Sequence, residues 1–438
     1  MTSVPRGWTE ATLGDLCQPV GTVRPDRNPN EVIRYIDIGS IDSTRHTIGD
    51  VAVLSGADAP SRARQLVRAG DTLLSTVRTY LKRTALVPPE LDSAVASTGF
   101  CVLRAASGVE AKFLLYRVIE DRFVAELSAL QTGSSYPAVR NGDVFSRIIA
   151  VPPPAEQRRI VAAIDESLSR LDEAERLLRH VKQGVERMRL SVLASAVQGS
   201  WPRRKIGDIG NGSRNDLAIG PFGSNLKVSD YRAEGTPLVF VRNIRAARFS
   251  GADTKYISED KARELAAHVV RPGDVLVTKM GDPPGDACVY PSNMPNGIIT
   301  ADCIKISAHD RLFDPRFVTI AIIAPEGRRA VLEVTSGVAQ KKVSLARFRT
   351  IEIPVPPLRE QHRIVAEVDH QLSLLDFLST AIQTALVHSV RLRRAVLEYA
   401  FSGRLVPQDP TDETETEALA PFAAERATTT KLPRRKQA

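Results

Sequence analysis

Hydroxyl, amide, aromatic and basic side chains gather in several short stretches of this sequence, in a mixture suited to holding a polyanion and reading an edge of it. One stretch, Ser75-Thr76-Val77-Arg78-Thr79-Tyr80-Leu81-Lys82-Arg83, interleaves polar, aromatic and basic residues, and Thr132-Gly133-Ser134-Ser135-Tyr136 with Arg140 follows a predicted helix. Further along, Pro221-Phe222-Gly223-Ser224-Asn225-Leu226-Lys227 is a Gly-Ser turn leading to a lysine. Arg242, Asn243, Lys279, Gln340, Lys341 and Lys342 add donors at predicted strand ends and loops. Arg and Lys can read guanine and Asn and Gln can read adenine, whereas hydroxyls, lysines and backbone amides more often hold phosphates. The candidate contacts are therefore Arg78, Tyr80, Lys82, Arg83, Ser134, Tyr136 and Arg140, then Ser224, Lys227, Arg242, Asn243, Lys279, Gln340, Lys341 and Lys342. Any one of them taken alone is better explained by a solvated surface. Their grouping at equivalent places of a repeat argues for binding.

Catalytic patterns are near-misses by comparison. Asp282-Pro283-Pro284-Gly285 has the outline of the acidic-Pro-Pro-aromatic element that grips a base for amino methylation, but Gly285 supplies no stacking face. Gly210-Asn211-Gly212 lacks the strand-loop-helix frame of a nucleotide site, and no GxxxxGK[ST] occurs. Asp253-Thr254-Lys255 has no convincing acidic partner, and the seven histidines share no metal spacing. A non-catalytic chain with no cofactor of its own is expected.

The elements that must position these residues are duplicated. Val151–Ile164 reads VPPPAEQRRIVAAI, and roughly two hundred residues later Val355–Val368 reads VPPLREQHRIVAEV. Such a period is far beyond the ~20–50 residues of a solenoid unit, so a whole module is repeated. Trp8 with Leu13-Gly14-Asp15-Leu16 answers Trp201 with Ile206-Gly207-Asp208-Ile209, and Val67–Leu73 answers Val270–Leu276 around the pairs Gly70-Asp71 and Gly273-Asp274. Between these anchors the copies diverge, which places differences in the loops of a shared scaffold. In the first copy, strands are predicted at Val32–Ile38, Asp71–Val77, Phe100–Leu103 and Ile148–Val151, with one helix from Glu110 to about Leu130.

A long helix follows each copy. Ala155–Gln198 has one glycine and no proline, and Leu358–Ser402 has neither. Ile164, Leu171, Leu178, Val185 and Val192 recur at heptad spacing, as do Val368, Leu375, Ile382 and Val396, with Ser389 interrupting the second series. Companions three residues on, such as Val181, Met188, Leu378 and Leu392, complete a predicted coiled-coil seam. Helices of this size span about 66 Å, and each finds its simplest partner in the other, running antiparallel. Glu156, Gln157, Glu360 and Gln361 open them. The expected fold is α/β (α+β): two pseudo-symmetric globular domains, 1–150 and 201–353, separated by two long antiparallel coiled-coil helices, 151–200 and 354–408, with a disordered tail at 409–438.

Net charge is +8 and the isoelectric point is near 9.4, which suits a polyanionic partner such as double-stranded DNA. Cys17, Cys101, Cys288 and Cys303 form no CxxC pair and read as core thiols. The N-terminal residues show no apolar signal segment, and Phe317–Pro325 is far short of the ~18 residues of a membrane span. A cytoplasmic location without membrane contact is expected.

At the duplicated PPxxEQxxI element, the chain resembles the specificity subunits of Type I restriction-modification systems. The resemblance spans about residues 5–408 and includes the two Trp…Gly-Asp openings, Phe222-Gly223-Ser224, and Ala400-Phe401-Ser402-Gly403-Arg404-Leu405. The first module lacks the Phe-Gly-Ser turn. The resemblance implies two target-recognition domains, each reading one half of a bipartite, asymmetric DNA site. It implies helices, with Glu156, Gln157, Ile164, Leu171, Leu178, Glu360, Gln361, Val368, Leu375 and Ile382, that act as spacer and partner surface. Two methylation subunits would supply S-adenosylmethionine and adenine-N6 chemistry, and restriction subunits would add ATP- and Mg-dependent cleavage. The alternatives are a specificity subunit of another restriction or methylation system, or a coiled-coil adaptor that binds no DNA.

Overall fold

The computed structural model describes residues 4–245, 247–309, 311–337, 341–409 and 411–412. Gln340, Pro410 and residues 413–438, which hold most of the tail expected to be disordered, lie outside them. The chain divides into two units: Met1–Leu177 with Ala385–Ala438, and Leu178–Thr384.

In the first unit, the apolar runs fold as two four-stranded sheets. One has the order Ala52–Ser55, Val32–Ile36, Val95–Ser97, Ala63–Leu66, and the other Cys17–Gln18, Phe100–Ala105, Thr72–Ser75, Thr84–Leu86. All pairings are antiparallel except Val95–Ser97 with Val32–Ile36. Thr72–Ser75 is buried at every residue, as a central strand covered on both faces must be. Thr9–Thr12 pairs with Ile148–Val151 and brings the ends of the domain together.

The second unit repeats this plan strand for strand. Its sheets run Lys255–Ile257, Thr236–Val239, Gly297–Ile299, Val269–Val270, and Leu217–Ile219, Cys303–Ile306, Val275–Thr278, Ala287–Val289. The one parallel pair falls at the same place, Gly297–Ile299 with Thr236–Val239, and Arg203–Lys205 closes on Glu352–Pro354. The duplicated Gly-Asp pair is explained by its turn. Gly70 and Gly273 have φ of +88° and +92°, a conformation open to glycine. Asp71 and Asp274 then accept the backbone N–H of Arg68 and Arg271 at 2.8 and 2.7 Å. In the first unit Arg104 also grips Asp71 through Nε and Nη2. All four cysteines are buried, and burial pushes the Cys288 and Cys303 thiols up to about 12.

The helix predicted over 110–130 is two helices, Ala111–Ile119 and Asp121–Ser128. Glu120 leaves the helical conformation, with ψ 138°, and its carboxylate caps the second helix by accepting the N–H of Arg122 and Phe123. Apolar periodicity does not reveal the break, because the capping carboxylate reads as an ordinary surface glutamate.

The long helices are Pro154–Ala196 and Leu358–Phe401. The heptad residues Ile164, Val185, Val368, Leu375 and Ile382 are buried, and Leu171 and Leu178 are half-buried. The second seam position is corrected by one residue. Met188 and Leu392, three on from their heptad partners, are 59% and 52% exposed, whereas Leu168, Ala196 and Ala400, four on, pack into the cores. Spacings of three and four give the same heptad period, and apolar residues at the wrong offset favoured the wrong choice. The correct offset holds polar residues that pair with each other. In the first unit Ser389 is buried and donates to Glu175 at 2.6 Å, so it belongs to the seam rather than breaking it. Arg393 pairs there with Glu175 and Asp172, and in the second unit Arg189 pairs with Asp376, the repeat equivalent. Within each unit the two helix segments run antiparallel: in the first, Ile160 and Ile164 share a core with Leu397 and Ala400 while Glu175 meets Ser389, and in the second, Leu193 shares a core with Val368 while Arg189 meets Asp376.

Gln157 and Gln361 fasten each long helix to its own domain. Both are fully buried. Gln157 accepts the Glu110 N–H at 2.8 Å and donates to the Pro152 carbonyl at 3.0 Å; Gln361 does the same to Asp314 and Pro356, each at 2.8 Å. Replacing Gln157 with Leu keeps the volume but strands a donor and an acceptor. It is expected to destabilise the first unit by about 2–3 kcal/mol, read as a lower urea midpoint at unchanged slope.

Candidate nucleic-acid interface

The polar stretches of the first unit meet on one edge. Past the buried strand Thr72–Ser75 the chain turns, and Val77 bridges Ala138 while Thr132 bridges Ala138. Val139 N–H donates to the Thr76 carbonyl at 2.9 Å, and Arg78 N–H to the Pro137 carbonyl at 2.8 Å. Thr79 Oγ1 lies 2.7 Å from Ser128 Oγ and accepts from Gln131 at 2.9 Å, which fixes the turn from beneath. Arg78 stands 5.2 Å from the centroid of the Tyr136 ring, and its Nη2 donates to the Ser135 carbonyl at 3.2 Å. Tyr80 and Tyr136 are 53% and 73% exposed. Ser134 and Arg140 are exposed beside them in sequence, Arg140 at the head of the short helix Asn141–Phe145.

Arg78 and Lys82 both hold positive φ, +48° and +49°, a conformation that disfavours L side chains by about 1–2 kcal/mol each. Lys82 has a structural reason: its ammonium is tied to Asp121 and to the Ile119 carbonyl. Arg83 is likewise anchored, Nη1 donating to the Ile38 carbonyl at 2.9 Å. These two cations brace the loop.

The second unit builds the same edge from different residues. Val343 N–H donates to the Lys279 carbonyl at 3.0 Å, repeating the Val139–Thr76 bond, and Met280 bridges Lys342. The hairpin Thr335–Ser336 with Lys342–Val343 carries Lys341, whose ammonium meets Asp282 Oδ1 at 3.0 Å. Lys279 Nζ donates to the Ala301 carbonyl and lies 5.8 Å from the centroid of the Phe222 ring. Phe222, 65% exposed, was not among the candidate contacts, although an aromatic in a Gly-Ser turn is itself a signal. Ser224, Lys227 and Lys342 are exposed.

Arg242 and Asn243 sit elsewhere, on the turn after Thr236–Val239. Arg242 lies over Phe240 and donates to the Asp253 carbonyl. Asn243 is corrected outright: it is 1% exposed, accepts from Phe240 N–H, and donates to the Ser250 and Ala252 carbonyls. It holds a loop and presents nothing to a ligand.

The helix openings also change role. Gln157 and Gln361 are locks inside their units, and a partner protein cannot reach them. Glu156, 2% exposed, accepts the Trp8 indole N–H at 3.0 Å, and burial pushes its carboxyl above the usual range. Its counterpart Glu360 is instead clasped by Arg363, which holds its carboxyl below that range. The Trp201 indole nitrogen is buried with no hydrogen-bond partner. No helix among the described residues is long and apolar enough to cross a membrane.

Two copies of one α/β scaffold, each presenting a polar edge of its own composition and each joined to long helices, define a duplicated recognition protein. The Type I restriction modification DNA specificity domain matches residues 302–384. The EcoKI specificity subunit of the Type I restriction enzyme of Escherichia coli (strain K12) is 24% identical over 340 residues, 70% of this chain and 69% of that subunit. Among solved structures, a chain from a type I R-M system, studied for complex assembly and conformational transition, is 30% identical. It superposes with a TM-score of 0.78 over 92% of this chain and 99% of that one. The HsdS subunit from Thermoanaerobacter tengcongensis is 29% identical with a TM-score of 0.63, covering 92% and 98%. The chain belongs to the family of Type I restriction-modification specificity subunits.

Proposed function

We propose that this chain is the sequence reader of a Type I restriction-modification complex on double-stranded DNA in the cytoplasm. Each unit reads one half of a bipartite, asymmetric site through the edge described above. Arg78, Tyr80, Ser134, Tyr136 and Arg140 serve one half, and Ser224, Lys227, Lys279, Lys341 and Lys342 serve the other; Gln340, outside the described residues, and Arg242, on a separate turn, are further candidates for the second half. The long helices set the gap between the halves and carry two methylation subunits. An apolar face on the second helix, with Leu374, Phe377 and Leu378 at 54%, 72% and 45% exposure, supports protein docking there. Methylation subunits bring S-adenosylmethionine, restriction subunits join with ATP and Mg, and this chain supplies no catalysis.

The observation that carries this reading is the strand-for-strand repeat whose equivalent edges hold different side chains: one scaffold, two specificities. Phosphate contacts predict that DNA affinity of the assembled complex falls steeply with salt. The rigorously purified chain with DNA and S-adenosylmethionine should transfer no methyl groups until methylation subunits are added. Transfer by the chain alone, or binding indifferent to salt, refutes the proposal.

A further inference from the structure

Arg78 occupies a backbone position that its structural repeat gives to glycine. Val77 and Met280 are equivalent through their bridges to Ala138 and Lys342, so Arg78 corresponds to Gly281. The two copies differ in conformation there: Gly281 has φ +159°, close to extended, whereas Arg78 is left-handed with φ +48°. A glycine would adopt the left-handed conformation of Arg78 without strain. Strained positions of this kind cluster at ligand-binding sites, which turns attention to the arginine's side chain. Lys82 offers the contrast, since its ammonium is spent on Ile119 and Asp121. Among the described residues the Arg78 guanidinium has one protein acceptor, the Ser135 carbonyl, and it is backed by the exposed Tyr136 ring. Its backbone N–H is tied to the Pro137 carbonyl. The group is thus held in place with most of its five N–H donors unused by the described residues.

A guanidinium fork can also grip two oxygens of one phosphate, but such a contact carries no sequence information, and the salt slope in the test below tells the two apart. A planar, oriented fork is suited to a directional acceptor pair, and in the DNA major groove that pair is O6 and N7 of guanine. We propose that Arg78 reads a guanine in the half-site of the first unit, a reading that rests on the proposed DNA-recognition function.

The test uses the complete complex with its methylation subunits. The first-unit half-site is the one that survives exchange of residues 201–353. Arg78→Gly should leave complex assembly intact and the melting temperature unchanged or raised. Discrimination at one guanine of that half, about 5- to 150-fold for a bidentate contact, should fall to near unity while the other half stays strict. Wild-type complex should lose affinity for DNA carrying 7-deazaguanine at that position, and the Arg78→Gly complex should be indifferent to it. An unchanged motif, a first half-site with no guanine on either strand, or a uniform loss across all sequences with a shallower salt slope each overturns the assignment and leaves the reader function standing. A wild-type complex that recognises no bipartite motif overturns both.

Discussion

Four residues added to each long helix, after Arg179 in the first and after Ala385 in the second, will change the spacing between the two recognised half-sites by one or two base pairs and leave both half-sites as they were. The paired insertion keeps the seam intact: Asp172 and Arg393 lie on one side of both insertions, Arg189 and Asp376 on the other. Four helical residues add about 6 Å and rotate by about 40°, and a base pair rises about 3.4 Å. The preferred gap is read from the modified motif or from a competition among DNA duplexes of graded spacing. An unchanged gap with full activity removes the spacer role from the helices.

Exchange of residues 201–353 for the equivalent block of a relative should replace one half-site entirely and leave the other untouched. The block begins and ends on adjacent strands, Arg203 opposite Pro354, so both junctions fall on one antiparallel pair. The lock made by Gln361 to Asp314 and Pro356 shows what the graft must retain: an N–H at the head of the equivalent helix. Changes in both halves would mean that the units do not read independently.

Much of the scaffold was legible in the sequence because its signals are duplicated. Gly70-Asp71 and Gly273-Asp274 report a turn with positive φ, and the repeated Glu-Gln marks where each helix starts. The buried locking role of Gln157 and Gln361 was not legible, since a glutamine in a helix's first turn is usually solvated. The seam register failed because Met188 and Leu392 mimic core positions while Glu175, Ser389 and Arg393 satisfy one another inside the interface. In the binding edges, composition located the loops. It could not separate Lys82, Arg83 and Asn243, which brace the fold, from Arg78, whose strained backbone shows only in the conformation. Phe222 was in view as part of its turn, but its place beneath Lys279 depends on a tertiary contact.

The account turns on one chain reading two separated sequences, and mapping modified bases across a genome in cells carrying this chain and its methylation subunits tests that directly. The predicted result is a single asymmetric motif, two short defined halves divided by a constant number of unspecified base pairs. A motif in one uninterrupted run, or no motif that depends on this chain, contradicts it.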